Sequence, residues 1–152
     1  AAGNARRPVI DSAVVDASVA VKWVVREQHS DEARLLAGVR LEAPDLLLVE
    51  CANIIWKKVR LGDLAPRDAA GRLGLLLRAP VVITASRELL DSALQLSLEL
   101  KHPVYDCVYL ALAQRREIPL VTADRRLVRA VSKRSALGIR VEFLSDLGRQ
   151  AT

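Results

Sequence analysis

The sequence predicts an α/β fold in which a mainly parallel sheet carries helices on both of its faces. Two observations lead to this prediction. Short apolar runs alternate with longer helical stretches along the whole chain, and Pro and Gly residues separate them. Because neighbouring parallel strands need crossover connections, the intervening helices must pack against the sheet. We expect one domain over residues 9–148, preceded by a tail or expression remnant at 1–8 and followed by a tail at 149–152.

The first half of the chain predicts two strands and three helices. In order, we expect a strand at 9–15, helices starting near residues 18 and 30, a strand at 40–42, and a long helix at 45–61. The first strand is closed by Asp16, and Ser18 is placed to cap the helix that follows. Gly62 is a suitable end for the long helix, because glycine readily adopts the left-handed conformation found there.

The second half continues the alternation. We expect a helix at 66–78, a strand at 81–84, a helix at 86–100 capped by Ser86, a helix at 104–116, a strand at 119–122, a helix at 125–134 and a last strand at 139–144. From Val104 to Ala113 every residue except Asp106 is apolar. This run is too long for an ordinary buried strand and indicates a buried helix. A carboxylate there is costly unless it is paired or holds a metal.

Four acidic residues are placed where the predicted fold can bring them together. Asp16 and Asp124 follow short β-runs, so they are expected on the same rim of a parallel sheet. Glu50 and Asp106 come from apolar helices that can lean over that rim. Carboxylates close together repel one another unless a cation is present, and oxygen ligands without Cys or His favour magnesium or manganese. The alternative is that the two aspartates are helix caps and that Glu50 lies on a solvated face.

Composition limits the other possibilities. The chain has a net charge of +5, which fits either an ordinary arginine-rich surface or a polyanionic partner. There are two cysteines, Cys51 and Cys107, and no CxxC pattern. A disulfide framework and a zinc site are therefore not expected, a reducing cytoplasm fits, and both thiols are interpreted as buried packing groups. His29 and His102 are the only histidines, and without a GxSxG motif a Ser-His-Asp hydrolase is disfavoured.

Four segments carry the acids and their neighbours. They are VVDASVAVKW at 14–23, PDLLLVECANIIWKK at 44–58, HPVYDCVYLALAQ at 102–114 and LVTADRRL at 120–127. In this order they resemble the PIN-domain ribonucleases, specifically the VapC-type toxins of bacterial toxin–antitoxin pairs. The resemblance implies an α/β/α sandwich, RNA cleavage that depends on Mg²⁺ with Mn²⁺ as a possible substitute, a homodimer, and a VapB-type antitoxin as partner.

The resemblance also assigns roles. The family's acids correspond to Asp16, Glu50, Asp106 and Asp124, its small hydroxyl residues to Ser18 and Thr122, and its helix asparagine to Asn53. We expect Asp16 and Asp106 to be the principal metal ligands, and Asp124 to bind metal directly or through water. Glu50 is expected to orient or deprotonate the attacking water, while the hydroxyl and amide groups hold the carboxylates.

The arginines that follow the last acid are candidates for RNA binding. Arg125 and Arg126 stand next to Asp124, whereas the rest of this basic helix is equally compatible with a solvated face. Two other functions stay open: a nuclease of the same fold that processes RNA or DNA, and a weakly active PIN module that acts mainly in a promoter-binding toxin–antitoxin complex. No membrane association is expected, and the predicted location is the cytoplasm.

Overall fold

The structure is a computed structural model that describes residues 10–150, with the side chain of Gln150 excepted. The tail predicted at 1–8 lies outside the described residues, as do residues 151 and 152 of the other predicted tail. Arg149 and Gln150 lie in a short 3₁₀ turn that ends the described chain.

In the described part of the chain, five strands form one sheet in which every pairing is parallel. They are β1 (Ser12–Val15), β2 (Arg40–Pro44), β3 (Val81–Thr84), β4 (Leu120–Thr122) and β5 (Val141–Phe143). Their order across the sheet is β3-β2-β1-β4-β5, so β1 is central and has β2 and β4 as neighbours. Val15 of β1 pairs with Val121 of β4, which brings the ends of these two strands together. The predicted parallel sheet is confirmed.

Within residues 10–150, eight α-helices connect and flank the strands. They are α1 (Ala17–Ala20), α2 (Ser30–Arg34), α3 (Leu46–Arg60), α4 (Pro66–Leu77), α5 (Leu90–Leu100), α6 (Val104–Arg116), α7 (Arg125–Ser132) and α8 (Leu144–Leu147). Short 3₁₀ segments occur at Val21–Trp23, Ser86–Leu89, Ser135–Leu137 and Gly148–Gln150. The helix predicted at 86–100 therefore begins as a 3₁₀ turn and continues as α5, and α8 was not predicted. Within residues 10–150, no helix is long and apolar enough to cross a membrane.

The core lies on both faces of the sheet, as strand periodicity requires. Along β1, Val14 belongs to the larger buried cluster, which includes residues of α3 and α6. Ala13 and Val15 point to the opposite face and belong to a smaller cluster with residues of α2 and α8. Helices thus cover both faces, and the domain is an α/β/α sandwich.

Helix α6 has more buried residues than any other helix of the described chain. All seven residues from Cys107 to Ala113 are buried. The helix packs on α5 and also contacts β1 and β2. Such burial on every side explains why its sequence is apolar all round, and it confirms the prediction of a buried helix.

Two predicted helix caps are wrong. Ser18 lies inside α1, where its hydroxyl donates to Asp16, and the Asp16 carboxylate is the cap of that helix. Ser86 likewise does not cap the helix that follows it. Its hydroxyl donates to the Asp45 carboxylate and accepts the Leu46 N–H at 3.3 Å. In both places a contact with another polar group satisfies the serine instead of the local backbone.

Candidate active site

The ends of β1 and β4 meet through their side chains. Asp16 follows β1 directly, and Thr122 is the last residue of β4. The Thr122 hydroxyl donates to Asp16 Oδ2 at 2.5 Å, and Ser18 donates to Asp16 Oδ1 at 2.5 Å. The expectation that the ends of β1 and β4 lie on the same rim of the sheet is therefore confirmed.

Asp16 is a buried carboxylate with only 7% of its surface exposed. Burial raises its pKa from the ordinary value of 3.8 to about 6. Hydrogen bonds from Ser18, Thr122 and the Val19 N–H lower this pKa, while the negative charge of Asp106 raises it. The donors hold the carboxylate in one orientation, and a cation bound there would favour its charged form.

The two hydroxyls also organise the loop that leads into α7. Ser18 Oγ accepts the Ala123 N–H at 3.0 Å, and Thr122 Oγ1 accepts the Asp124 N–H at 3.1 Å. The Asp124 carboxylate accepts the Arg126 N–H at 2.9 Å and caps α7. Both strand-end aspartates are thus helix caps, and this structural role is compatible with a further role at the rim.

Asp106 lies in the first turn of α6, with about one third of its side chain exposed. Its Oδ2 lies 2.6 Å from Nε2 of His102. Its negative charge contributes to raising the pKa values of both Asp16 and Glu50, which places the three carboxylates in one neighbourhood. Sequence reasoning considered His102 only for hydrolase chemistry; the spacing of four residues from Asp106 is the signal that points to this contact.

Glu50 lies on α3 and is half-buried. The Tyr109 hydroxyl donates to its Oε1 at 2.6 Å. Burial raises the pKa of Glu50, the bond from Tyr109 lowers it, and the charge of Asp106 raises it. Tyr109 is itself 1% exposed and burial raises its pKa, so it stays a hydrogen-bond donor. Tyr109 was missed from the sequence, although its position three residues after Asp106 puts it on a neighbouring part of the same helix surface.

The remaining predicted site residues are exposed and make fewer contacts than the carboxylates. Asn53 is exposed on α3, and its side chain forms no hydrogen bond within residues 10–150, so its role stays a prediction. Arg125 and Arg126 are both exposed in the first turn of α7. The Arg125 guanidinium lies 4.3 Å from the centre of the Phe143 ring, and Arg126 Nε lies 3.6 Å from Asp124 Oδ1. Both arginines are placed beside the rim.

Neither cysteine takes part in a reactive site. Cys51 and Cys107 are both 0% exposed. Burial raises the pKa of the Cys51 thiol to about 12 and that of the Cys107 thiol to about 11, with further increases from nearby carboxylates. The thiols therefore stay protonated at neutral pH, and the prediction that they are buried packing groups is confirmed.

The donor set agrees with a hydrated hard cation. Among the described residues, no group of three or more His, Cys, Asp or Glu side chains is arranged to hold a metal ion. Mg²⁺, however, is commonly bound through one or two carboxylates and keeps several waters. Asp16 and Asp106 stay predicted as the two carboxylate ligands, and the charge of Asp106 contributes to raising the pKa of Asp16. Asp124 stays a predicted third ligand, directly or through water.

Comparisons with known proteins are consistent with this geometry. The family model of the PIN domain matches residues 13–133. Ribonuclease VapC3 of Pyrobaculum aerophilum is 34% identical over 118 residues, which cover 75% of this chain and 90% of that protein.

Solved structures share the fold. The crystal structure of PAE2754 from Pyrobaculum aerophilum has a TM-score of 0.67 and 25% sequence identity, and the alignment covers 93% of this chain and 90% of that one. VapBC2 from Rickettsia felis, bound to a DNA fragment from its promoter, has a TM-score of 0.62 at 15% identity, with 87% and 98% covered. At that identity the second likeness concerns the fold alone.

Proposed function

Because the chain belongs to the PIN domain family, we propose that it is a metal-dependent endoribonuclease that hydrolyses phosphodiester bonds of RNA. A relative with 34% identity is a VapC ribonuclease, which supports RNA as the substrate class. The observation that carries the proposal is the buried Asp16 at the end of the central strand, held by two hydroxyls and influenced by the charge of Asp106.

Asp16 and Asp106 are proposed to hold Mg²⁺, with Mn²⁺ as a substitute, and Asp124 to bind it directly or through water. The hydroxyls of Ser18 and Thr122 keep Asp16 in place, which limits the reorganisation needed when the ion enters. When bound, the ion polarises the phosphodiester and lowers the pKa of a bound water.

Glu50 is proposed to orient or deprotonate the attacking water. Burial and the charge of Asp106 raise the pKa of this carboxyl, which makes it a better base at neutral pH than an exposed glutamate. Tyr109 fixes one of its oxygens, and Asn53 is proposed to hold the carboxylates from the exposed side of α3. Because water is the nucleophile, the products carry a 3′-hydroxyl and a 5′-phosphate.

The RNA backbone is proposed to run past the start of α7. Arg125 and Arg126 are exposed there and lie beside Asp124, and the net charge of +5 favours a polyanion. These arginines compensate for the repulsion that the acidic rim exerts on phosphate.

The activity is proposed to be restrained by a VapB-type antitoxin in the cytoplasm, and the toxin to be a homodimer. A groove between α3 and α4 supports the docking of an apolar segment, since it is lined by Ile55, Val59 and Leu73 beside a Trp56 that is 55% exposed. A short gene for a DNA-binding protein next to the gene of this chain, and co-purification of the two products, are expected. Light scattering should report a dimer, and a monomer would contradict the proposed homodimer.

The decisive experiment is cleavage of total RNA with Mg²⁺ or with EDTA, followed by mapping of the cut ends. Cleavage is expected in the presence of Mg²⁺ and not in the presence of EDTA. Asp106→Asn should fold and lose cleavage, whereas Asp63→Asn, which changes an exposed acid in a loop, should keep it. Metal-dependent cutting by Asp106→Asn would refute the ligand assignment, and a 2′,3′-cyclic phosphate end would refute attack by water.

A further inference from the structure

We propose that His102 is a positioning residue that holds the Asp106 carboxylate in the orientation in which it binds the cation. The inference rests on the proposed function, since it concerns the same site. It assigns a role to a residue that lies outside the helix carrying the acid and that is absent from the set of acids, hydroxyls and amide predicted from the sequence.

The contact between the two side chains is short and sheltered. His102 Nε2 lies 2.6 Å from Asp106 Oδ2, and the two side chains are 15% and 33% exposed. A hydrogen bond to an ionised acceptor is stronger than one between neutral groups, and partial burial strengthens it further. The imidazole therefore engages one of the two oxygens of Asp106.

The backbone of His102 is anchored independently of its ring. The His102 N–H donates to the Ser97 carbonyl at 3.2 Å, and the Ser97 hydroxyl donates to the His102 carbonyl at 2.5 Å. Lys101 just before it has a φ of 52°, in the left-handed region, where the chain leaves α5. The last turn of α5 therefore holds the residue that carries the imidazole.

This arrangement matters because a carboxylate rotates easily about its last torsion angle. An Asp106 without a partner would lose that freedom on binding a cation, whereas His102 has already restricted it. Removal of such an outer partner of a metal ligand typically weakens metal binding by about 10- to 100-fold. The competing explanation is that the contact between His102 and Asp106 only stabilises the start of α6.

Two matched substitutions separate these explanations. The amide nitrogen of His102→Gln reaches the position of Nε2, whereas that of His102→Asn reaches only the position of Nδ1. Both variants replace the ring by a neutral amide. A purely structural role of His102 therefore predicts similar Mn²⁺ affinities for the two variants. Ser97→Ala keeps the imidazole but removes one anchor of the backbone.

The measurement is Mn²⁺ binding to the full chain by titration calorimetry, with melting temperatures recorded in EDTA. We expect His102→Asn to bind Mn²⁺ about 10- to 100-fold more weakly, His102→Gln to stay within about threefold of the unmodified protein, and Ser97→Ala to lie between them. Equal affinity in all variants, equal losses for Asn and Gln, or tighter binding by His102→Asn would each overturn the inference. The last result would mean that the histidine competes with the cation.

The control is the unmodified protein itself. If it binds no Mn²⁺ and cleaves no RNA, the proposed function fails and the inference fails with it. If it binds Mn²⁺ and the His102 variants bind it equally well, only the positioning role is refuted. Should His102→Asn not fold, the comparison of His102→Gln with Ser97→Ala decides, since the inference requires the serine variant to bind more weakly.

Discussion

Replacement of Asp16 by Asn is expected to stabilise the metal-free protein at neutral pH, even though it removes a proposed metal ligand. The reason is that Asp16 is buried and that burial raises its pKa from 3.8 to about 6. Above about pH 6 the folded protein must carry a charge that the interior disfavours. Asparagine keeps the shape of the side chain without that charge.

The sign and the size follow from linkage. An acid whose pKa is raised by folding binds its proton more tightly in the folded state, so stability falls as pH rises from 3.8 to about 6 and then stays constant. That difference corresponds to about 3 kcal/mol at high pH. The amide accepts from one hydroxyl and must donate to the other, and this weaker bonding takes back about 1–2 kcal/mol. A net gain of about 1–2 kcal/mol near pH 7.5 is expected.

The assay is thermal unfolding in EDTA at two pH values, with Asp63→Asn as the exposed control. The Asp16→Asn variant should melt about 2–8 °C higher near pH 7.5, given about 2–4 °C per kcal/mol for a domain of this size. Near pH 4.5 the gain should shrink by about 2 kcal/mol and disappear, because Asp16 is then protonated in the folded state. Equal destabilisation at both pH values would refute the reasoning.

Three further predictions concern other contacts. Tyr109→Phe removes a hydrogen bond that lowers the pKa of Glu50, so the acidic limb of the pH–rate profile should move to higher pH; an unmoved limb would contradict this. Arg116→Ala leaves the buried Glu42 without its partner at 2.8 Å. The free energy of unfolding in urea should fall by about 2 kcal/mol, with the RNA cut sites unchanged. A fall below about 0.5 kcal/mol would contradict the importance of this pair for stability. Replacement of both Arg125 and Arg126 by Glu should weaken RNA binding and flatten its salt dependence. Unchanged RNA affinity at low salt would mean that the two arginines belong only to a solvated helix face.

Much of the fold was predictable because its signals are local. The apolar run at 81–84 became β3 with the same bounds, and Gly62 follows α3 with a φ of 82°, as a helix end favours. The buried helix around Asp106 was evident from its length and lack of a polar face. The starts predicted at residues 30, 66, 104 and 125 are confirmed. The two predicted serine caps were wrong, because Ser18 and Ser86 bond to carboxylates rather than to the first turn of their own helices.

The candidate site also has a part that the sequence predicted and a part that depends on contacts between distant residues. Parallel strands end at one edge, so the pattern of strands was sufficient to place Asp16 and Asp124 on one rim. The bond between Tyr109 and Glu50 joins residues 59 positions apart, and that between Thr122 and Asp16 joins residues 106 apart.

The sequence by itself determined the alternation of strands and helices, the buried character of α6 and the acids worth considering. Only the tertiary structure decided which donors hold each carboxylate, because that depends on how α3 and α6 are rotated about their axes and how closely they approach the rim. Helix periodicity defines a face within one segment but does not relate that face to a distant one. The raised pKa of Asp16 is therefore a consequence of packing, whereas the contact of His102 with Asp106 is local, since it joins residues four positions apart.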